Sequence, residues 1–170
     1  LVTFALTVFA DLSVAVEIGM TIAALLAIRK VAFTTSVVAE TPAEVESSRP
    51  HLLHDQEVPR DVAVFRISGP LLFGSSDKVA AIVGETDDLS SIVILRLRHM
   101  TAIDGTGLAA LEDLADRLHH SNRTLILCGA REQPAQLMAQ ADFDRHIGHP
   151  NICLNVTDAL ARARQILSDR

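Results

Sequence analysis

From Val62 to the end of the chain, short runs of contiguous apolar residues alternate with longer segments in which apolar side chains return every three or four positions. The runs predict strands covered on both faces, and the segments predict amphipathic helices. Strands are expected at Val62-Ala63-Val64-Phe65-Arg66-Ile67, stopped by Ser68-Gly69-Pro70, at Ile92-Val93-Ile94-Leu95, at Thr124-Leu125-Ile126-Leu127-Cys128-Gly129, and briefly at Ile152-Cys153-Leu154. Between them, Ser75-Ser76-Asp77 can cap a short helix with Val79, Ile82 and Val83 on its apolar face. Leu108, Leu111, Leu114, Ala115 and Leu118 mark one side of a second helix, which ends near His120-Ser121-Asn122. A third has Pro134 in its first turn and carries Leu137, Met138 and Ala141, and Asp142-Phe143-Asp144 reads as a helix end with solvated acids. Asn155 caps a last helix built on Val156, Ala159, Leu160, Ala163, Ile166 and Leu167. This alternation calls for an α/β domain with a mainly parallel sheet flanked by helices.

The first part of the chain has a different pattern. Leu1 to Ala10 is uncharged, Asp11 interrupts it, and in Leu12 to Ile28 Glu17 is the one charge before Arg29-Lys30. Seventeen residues lie at the short end of what crosses a ~30 Å hydrocarbon core, so residues 1–30 are expected to be the end of a transmembrane domain. The segment begins in mid-hydrophobic text with no basic region before it, which reads as a fragment of a longer membrane protein rather than a signal peptide. If Leu12 to Ile28 spans, Arg29-Lys30 at its end is expected on the cytoplasmic side, with everything after about residue 30. Asp11 and Glu17 are then candidate intramembrane ionisable groups, or else groups near an interface. Ala15, Gly19, Ala23, Ala24 and Ala27 suit close packing against other helices. Residues 31–60, with Pro42, Pro50 and Pro59, read as a linker that holds one short strand near His54 to Val58. Residues 61–170 form the following domain.

Composition narrows the chemistry. Of 170 residues, 49% are hydrophobic and 4% aromatic, the net charge is −6, and six acids between Glu40 and Asp61 face only Arg49 and Arg60. No basic patch is present, so nucleic acid is excluded as a partner on electrostatic grounds. Cys128 and Cys153 lack C-x-x-C spacing and fit neither a disulfide framework nor a zinc site. His119-His120 and His146-x-x-His149 lack the partners that a metal would need and read as loop or surface histidines. Glu112, Asp113 and Asp116 read as the wet side of a helix. No spacing supports nucleophilic catalysis, and no enzyme activity, cofactor or metal is expected.

One stretch carries candidate chemistry: Ala102-Ile103-Asp104-Gly105-Thr106-Gly107-Leu108, where a strand passes straight into a helix. Asp104 can accept N–H bonds at the helix start, and Gly105 and Gly107 permit backbone geometry that other residues resist. Thr106 would present a hydroxyl at the positive end of the helix dipole, as a phosphate acceptor or an anion contact. The alternative is that Asp104 and Thr106 simply cap the helix. The phosphate-binding G-x-x-x-x-G-K-[ST] and the dinucleotide G-x-G-x-x-G spacings are both absent.

The order of strand, short helix, Ile92-Val93-Ile94-Leu95-Arg96-Leu97 and the turn at 102–108 resembles the STAS domain, shared by anti-sigma-factor antagonists and the cytoplasmic tails of SulP anion transporters. Ala10-Asp11-Leu12-Ser13-Val14-Ala15-Val16-Glu17-Ile18-Gly19, with the apolar run and Arg29-Lys30 after it, is similar to the last membrane helix of the bacterial SulP transporters. The resemblance implies a four-stranded or slightly larger sheet on the cytosolic side of a membrane transporter for small anions such as sulfate, bicarbonate or dicarboxylates. It also implies as partners the transmembrane domain of the same transporter, a homodimer formed through it, and a cytosolic protein or a nucleotide. Asp104, Gly105, Thr106 and Gly107 would be the regulatory turn. In the antagonists that this turn resembles, a Ser or Thr after the Asp is phosphorylated. Here Gly105 stands where a first hydroxyl often lies and Thr106 is the remaining acceptor, which keeps a soluble, phosphorylated switch module as the alternative.

Overall fold

The structure, a computed structural model, describes residues 12–33, 35–40, 58–72, 76–85 and 90–169, and it divides into two units between Thr34 and Thr35. The first unit contains helix α1, Leu12–Phe33, 22 residues long, so the helix expected from Leu12 to Ile28 forms and runs a turn further. Val14, Val16, Met20, Ile22, Leu25 and Leu26 are all exposed on it, beside an exposed polar stripe of Ser13, Glu17 and Thr21, so most of its surface is apolar and poorly fitted to water. Counted over the described residues, no helix is long and apolar enough to cross a membrane. Glu17 lies exposed on α1, and its carbonyl accepts a 2.8 Å bond from the Thr21 hydroxyl. Asp11 lies outside the described residues.

The second unit is a five-stranded sheet in the order β1-β2-β3-β4-β5, with β1 Ser36–Ala39, β2 Val62–Leu71, β3 Ile92–Ile103, β4 Thr124–Cys128 and β5 Ile152–Cys153. Strand β1 runs antiparallel to β2, with Ser36 opposite Ser68. The other three pairings are parallel and place Val62 beside Ile92, Ile92 beside Thr124, and Cys128 beside Cys153. Parallel strands need crossover helices, which must then cover both faces. On one face, Val79 and Ile82 of α2 (Ser76–Glu85), Leu108, Leu111 and Leu114 of α3 (Gly105–His120) and Met138 of α4 (Glu132–Gln140) close over Phe65, Ile67, Val93, Leu95 and Leu127. On the other face, Val156, Ala159, Leu160 and Ala163 of α6 (Val156–Ser168) close over Val62, Val64, Ile92, Ile94 and Ile126. A short helix, α5 (Asp144–Ile147), precedes β5. The predicted faces of the second and last helices agree with this burial, and Asn155 caps α6 by accepting from the Asp158 N–H at 2.9 Å.

Two expectations are corrected, one lies almost wholly outside the described residues, and one holds only in part. Ser36–Ala39, inside the expected linker, is a paired edge strand; it was invisible because a strand of four residues gains its order from β2, more than twenty residues downstream. Of the strand expected near His54 to Val58, residues 54–57 lie outside the described residues and Val58 carries no regular structure. Strand β2 does not stop at Ser68-Gly69-Pro70 but continues to Leu71, with register shifts between Arg66 and Ser68 and between Gly69 and Leu71. Irregularities of this kind admit a glycine and a proline into a strand. Finally, Asp142-Phe143-Asp144 follows the end of α4 and Asp142 is solvated as expected, but Phe143 between the two acids is not. Helix α4 stops at Gln140, Ala141 is exposed, and Asp142 takes a left-handed φ of 52°. That turn drives Phe143 into the core, where it is fully buried and its N–H donates to Met138 O at 3.0 Å. The cap expected from Ser75 lies outside the described residues.

Phe143 sits on no regular element, yet it fills the core beside Met138. Phe143→Ala is expected to cost about 3–5 kcal/mol of stability, measured as the shift of a urea unfolding midpoint at unchanged slope. A loss under about 1 kcal/mol would mean that the site collapses around the deletion.

Candidate functional site

The turn from β3 into α3 is assembled from three directions. Along the chain, Asp104 holds an extended conformation (φ −112°, ψ −178°) and its Oδ1 accepts the Gly107 N–H at 2.8 Å, while its carbonyl accepts the Leu108 N–H at 2.9 Å. It is therefore the N-cap of α3, accepting from the third helical residue. From β2, the Leu71 carbonyl accepts the Asp104 N–H at 3.3 Å. From α4, the Gln133 amide brackets the last strand residue: its Oε1 accepts from Ile103 N at 3.0 Å and its Nε2 donates to Ile103 O at 2.9 Å. Strand β4 pairs with β3 only as far as Arg96. The Gln133 side chain thus does for Ile103 what a neighbouring strand would do.

The two glycines of the turn do different things. A Cβ on Gly107 would fall well inside contact distance of the Leu71 carbonyl oxygen and 3.0 Å from Ile103 Cγ1, so the end of β2 can approach the first turn of α3 only because that position is bare. Gly105 is exposed, and a Cβ there would meet nothing within 4 Å. Thr106 is also exposed, at the positive end of a 16-residue helix. The four expected residues do come together, split into a structural pair, Asp104 and Gly107, and an outward pair, Gly105 and Thr106. Capping by Asp104 is realised, and Thr106 is left as an accessible hydroxyl.

The remaining candidates fall elsewhere. Asp113 pairs with Arg117 at 2.8 Å on the wet side of α3, where both are more than half exposed; such pairs contribute little. Asp116 lies 3.5 Å from His146 Nδ1. Among the described residues no group of three His, Cys, Asp or Glu could hold a metal. Cys128 is buried and Cys153 half-buried, both as free thiols. Burial pushes the Cys128 thiol up to about 12, against the opposing pull of Arg96, and burial followed by Asp158 also raises Cys153. Both stay protonated near neutrality and are poor nucleophiles.

Two features escaped the sequence reading. Gln133 carries no motif, and only the fold brings it to Ile103, 30 positions away. The second is a buried charge cluster. Glu40 Oε2 lies 2.5 Å from Arg96 Nη1 and Oε1 lies 3.0 Å from Arg66 Nε, with the carboxylate wholly out of solvent. A signal for it existed, since Arg66 follows the apolar run Val62-Ala63-Val64-Phe65 and Arg96 follows the apolar run Ile92-Val93-Ile94-Leu95.

With this geometry in hand, the likeness to known proteins is informative. The family model of the STAS domain matches residues 55–159. The putative sulfate transporter YvdB of Bacillus subtilis (strain 168) is 26% identical over 147 residues, which is 86% of this chain and 26% of that protein; the chain spans about a quarter of the length of that relative. The crystal structure of a sulfate transporter family protein from Wolinella succinogenes shares the fold at a TM-score of 0.62 and 24% identity, over 71% of this chain and 99% of that one. The murine Solute Carrier 26 family member A9 anion transporter shares it at 0.70 and 19% identity, over 96% of this chain and 28% of that one.

Gly107→Ala is expected to cost about 1–3 kcal/mol, the usual range for overpacking, with the amides of Leu71 and Asp104 shifted in NMR spectra. Gly105→Ser is expected to leave stability within about 0.5 kcal/mol, as an open surface position allows. Equal effects of the two substitutions on the melting temperature would contradict the division between structural and outward residues.

Proposed function

The chain belongs to the STAS-domain family, and from that premise we propose that it is the carboxy-terminal region of a SulP-type secondary anion transporter of the sulfate, bicarbonate or dicarboxylate class. In this reading α1 is the end of the transmembrane domain, in the cell membrane. The unit after it is a cytoplasmic regulatory domain that acts on the transmembrane part of its own transporter, within a homodimer. The observation that carries the reading is a 22-residue helix that exposes Val14, Val16, Met20, Ile22, Leu25 and Leu26 and precedes a STAS domain in the same chain, since so much exposed apolar surface calls for an apolar surrounding. The relation to a putative sulfate transporter over 86% of the chain supports it. The turn from Asp104 to Gly107 serves as a regulatory surface for a cytosolic protein or a nucleotide, and the reading assigns no catalytic reaction.

A second reading has one observation in its favour. Thr106 is exposed on the first turn of α3, where added negative charge is stabilised. In that case the domain is a switch of the antagonist type, set by phosphorylation at Thr106.

The complete coding region that contains these residues separates the two. Further membrane helices upstream, and uptake of labelled sulfate, bicarbonate or a dicarboxylate by proteoliposomes holding the product, are expected for the transporter. No upstream membrane helix, together with phosphate incorporation at Thr106 by a partner kinase and loss of partner binding, would replace it with the switch.

A further inference from the structure

On the α6 side of the sheet the inward rows are apolar at Val62 and Val64 of β2 and at Ile92 and Ile94 of β3. Two residues further along each strand, on the same face, the rows turn cationic at Arg66 and Arg96, which are register partners. Adjacent guanidinium groups repel one another, and a buried one without an anion is costly. The anion is Glu40, one residue past β1. Its carboxylate is wholly buried, Arg96 is 7% exposed and Arg66 31%. Among the described residues Glu40 Oε1 makes no hydrogen bond of good geometry, and the charge nearest to it is Arg66, at 3.0 Å. Arg96 also lines a cleft of about 510 Å3 that it shares with Arg98, Gly129, Thr157 and Asp158. Strand β1 itself is a four-residue edge strand with Val38 exposed, paired on one side to β2 and anchored at its ends by the Thr35 hydroxyl donating to the Pro70 carbonyl, Lys78 donating to the Thr35 carbonyl and the Glu40 N–H donating to Val64 O at 2.8 Å.

We propose that Arg66 and Arg96 form an oxyanion site which the chain closes with its own Glu40 carboxylate, and that a small dissolved carboxylate or tetrahedral oxyanion takes the site when β1 lifts from β2. Guanidinium forks match the oxygen geometry of either class. Two routes lead in: beside the part-exposed Arg66, and through the cleft at Arg96. Glu40 thereby acts as a latch on β1, the strand that follows directly on α1, and the anion competes with the latch. The site is separate from the Asp104 turn and stands on the domain's own geometry, whatever the chain is joined to.

The test uses the full chain in detergent micelles, with acetate, formate or sulfate compared with chloride at fixed ionic strength. Glu40→Ala vacates the site and leaves both arginines. It is expected to melt below the parent and to be restored saturably by acetate or sulfate, with global amide exchange slowed about tenfold at an anion concentration about ten times its Kd. The same anions should stabilise the parent less, and Arg66→Gln added to Glu40→Ala should abolish the rescue. Acetate acting without sulfate, or the reverse, would assign the site to one class of oxyanion. An anion response of Glu40→Ala no larger than that of the parent, or a rescue that survives Arg66→Gln, would overturn the proposal. If Glu40→Ala fails to fold, the parent decides: faster exchange of the Val38 and Glu40 amides in acetate or sulfate than in chloride supports competition for the site, and equal exchange in all three overturns it.

Discussion

The most demanding interaction in the domain is the pairing of Arg96 with Glu40. Strand β3 is the middle of the sheet, and Ile92, Val93, Ile94, Leu95 and Leu97 are each without solvent exposure. Arg96 sits inside that run at 6% exposure. A charge placed there needs an anion and hydrogen-bond acceptors close by, and leaving it alone costs several kcal/mol in the usual case. The acid comes from the far edge of the sheet, so satisfying Arg96 ties β1 to β2 and β3 at once. Arg66, opposite Arg96 in the register, is satisfied by the same carboxylate.

The opposite end of the same strand shows a second use of tight backbone geometry. Strand β3 outruns β4 by seven residues, from Arg96 to Ile103. Its exposed ladder is closed on one side by β2 and at the last residue by the Gln133 amide. The Leu71 carbonyl then meets the start of α3 across a bare Gly107. What remains accessible after these constraints are met is Gly105 and Thr106. The exposed part of this turn is therefore a by-product of construction: Asp104 and Gly107 build the turn, and the two residues left over are exposed to solvent.

The features legible in the sequence were those that repeat locally. The apolar spacing of Leu108, Leu111, Leu114, Ala115 and Leu118 located α3 and its buried side, and the continuous apolar run at Ile92 located a strand covered on both faces. Asp104 and Asn155 could be read as caps because a side chain reaching three residues ahead is a local event. The two strand irregularities near Ser68 and Gly69, the inward turn of Phe143 and the edge strand at Ser36 were not legible. Each depends on a neighbour distant in sequence that overrides local preference.

The sequence by itself determined the class of fold, the apolar character of the first helix and the place of the turn, because periodicity and capping are written within a few residues of one another. Only the tertiary structure decided which of the four turn residues are free to act and which acid neutralises Arg96. Those answers rest on contacts between Leu71 and Gly107 and between Glu40, Arg66 and Arg96. Contacts of that range have no local signature, since they exist only once the strands have paired and the helices have closed over them.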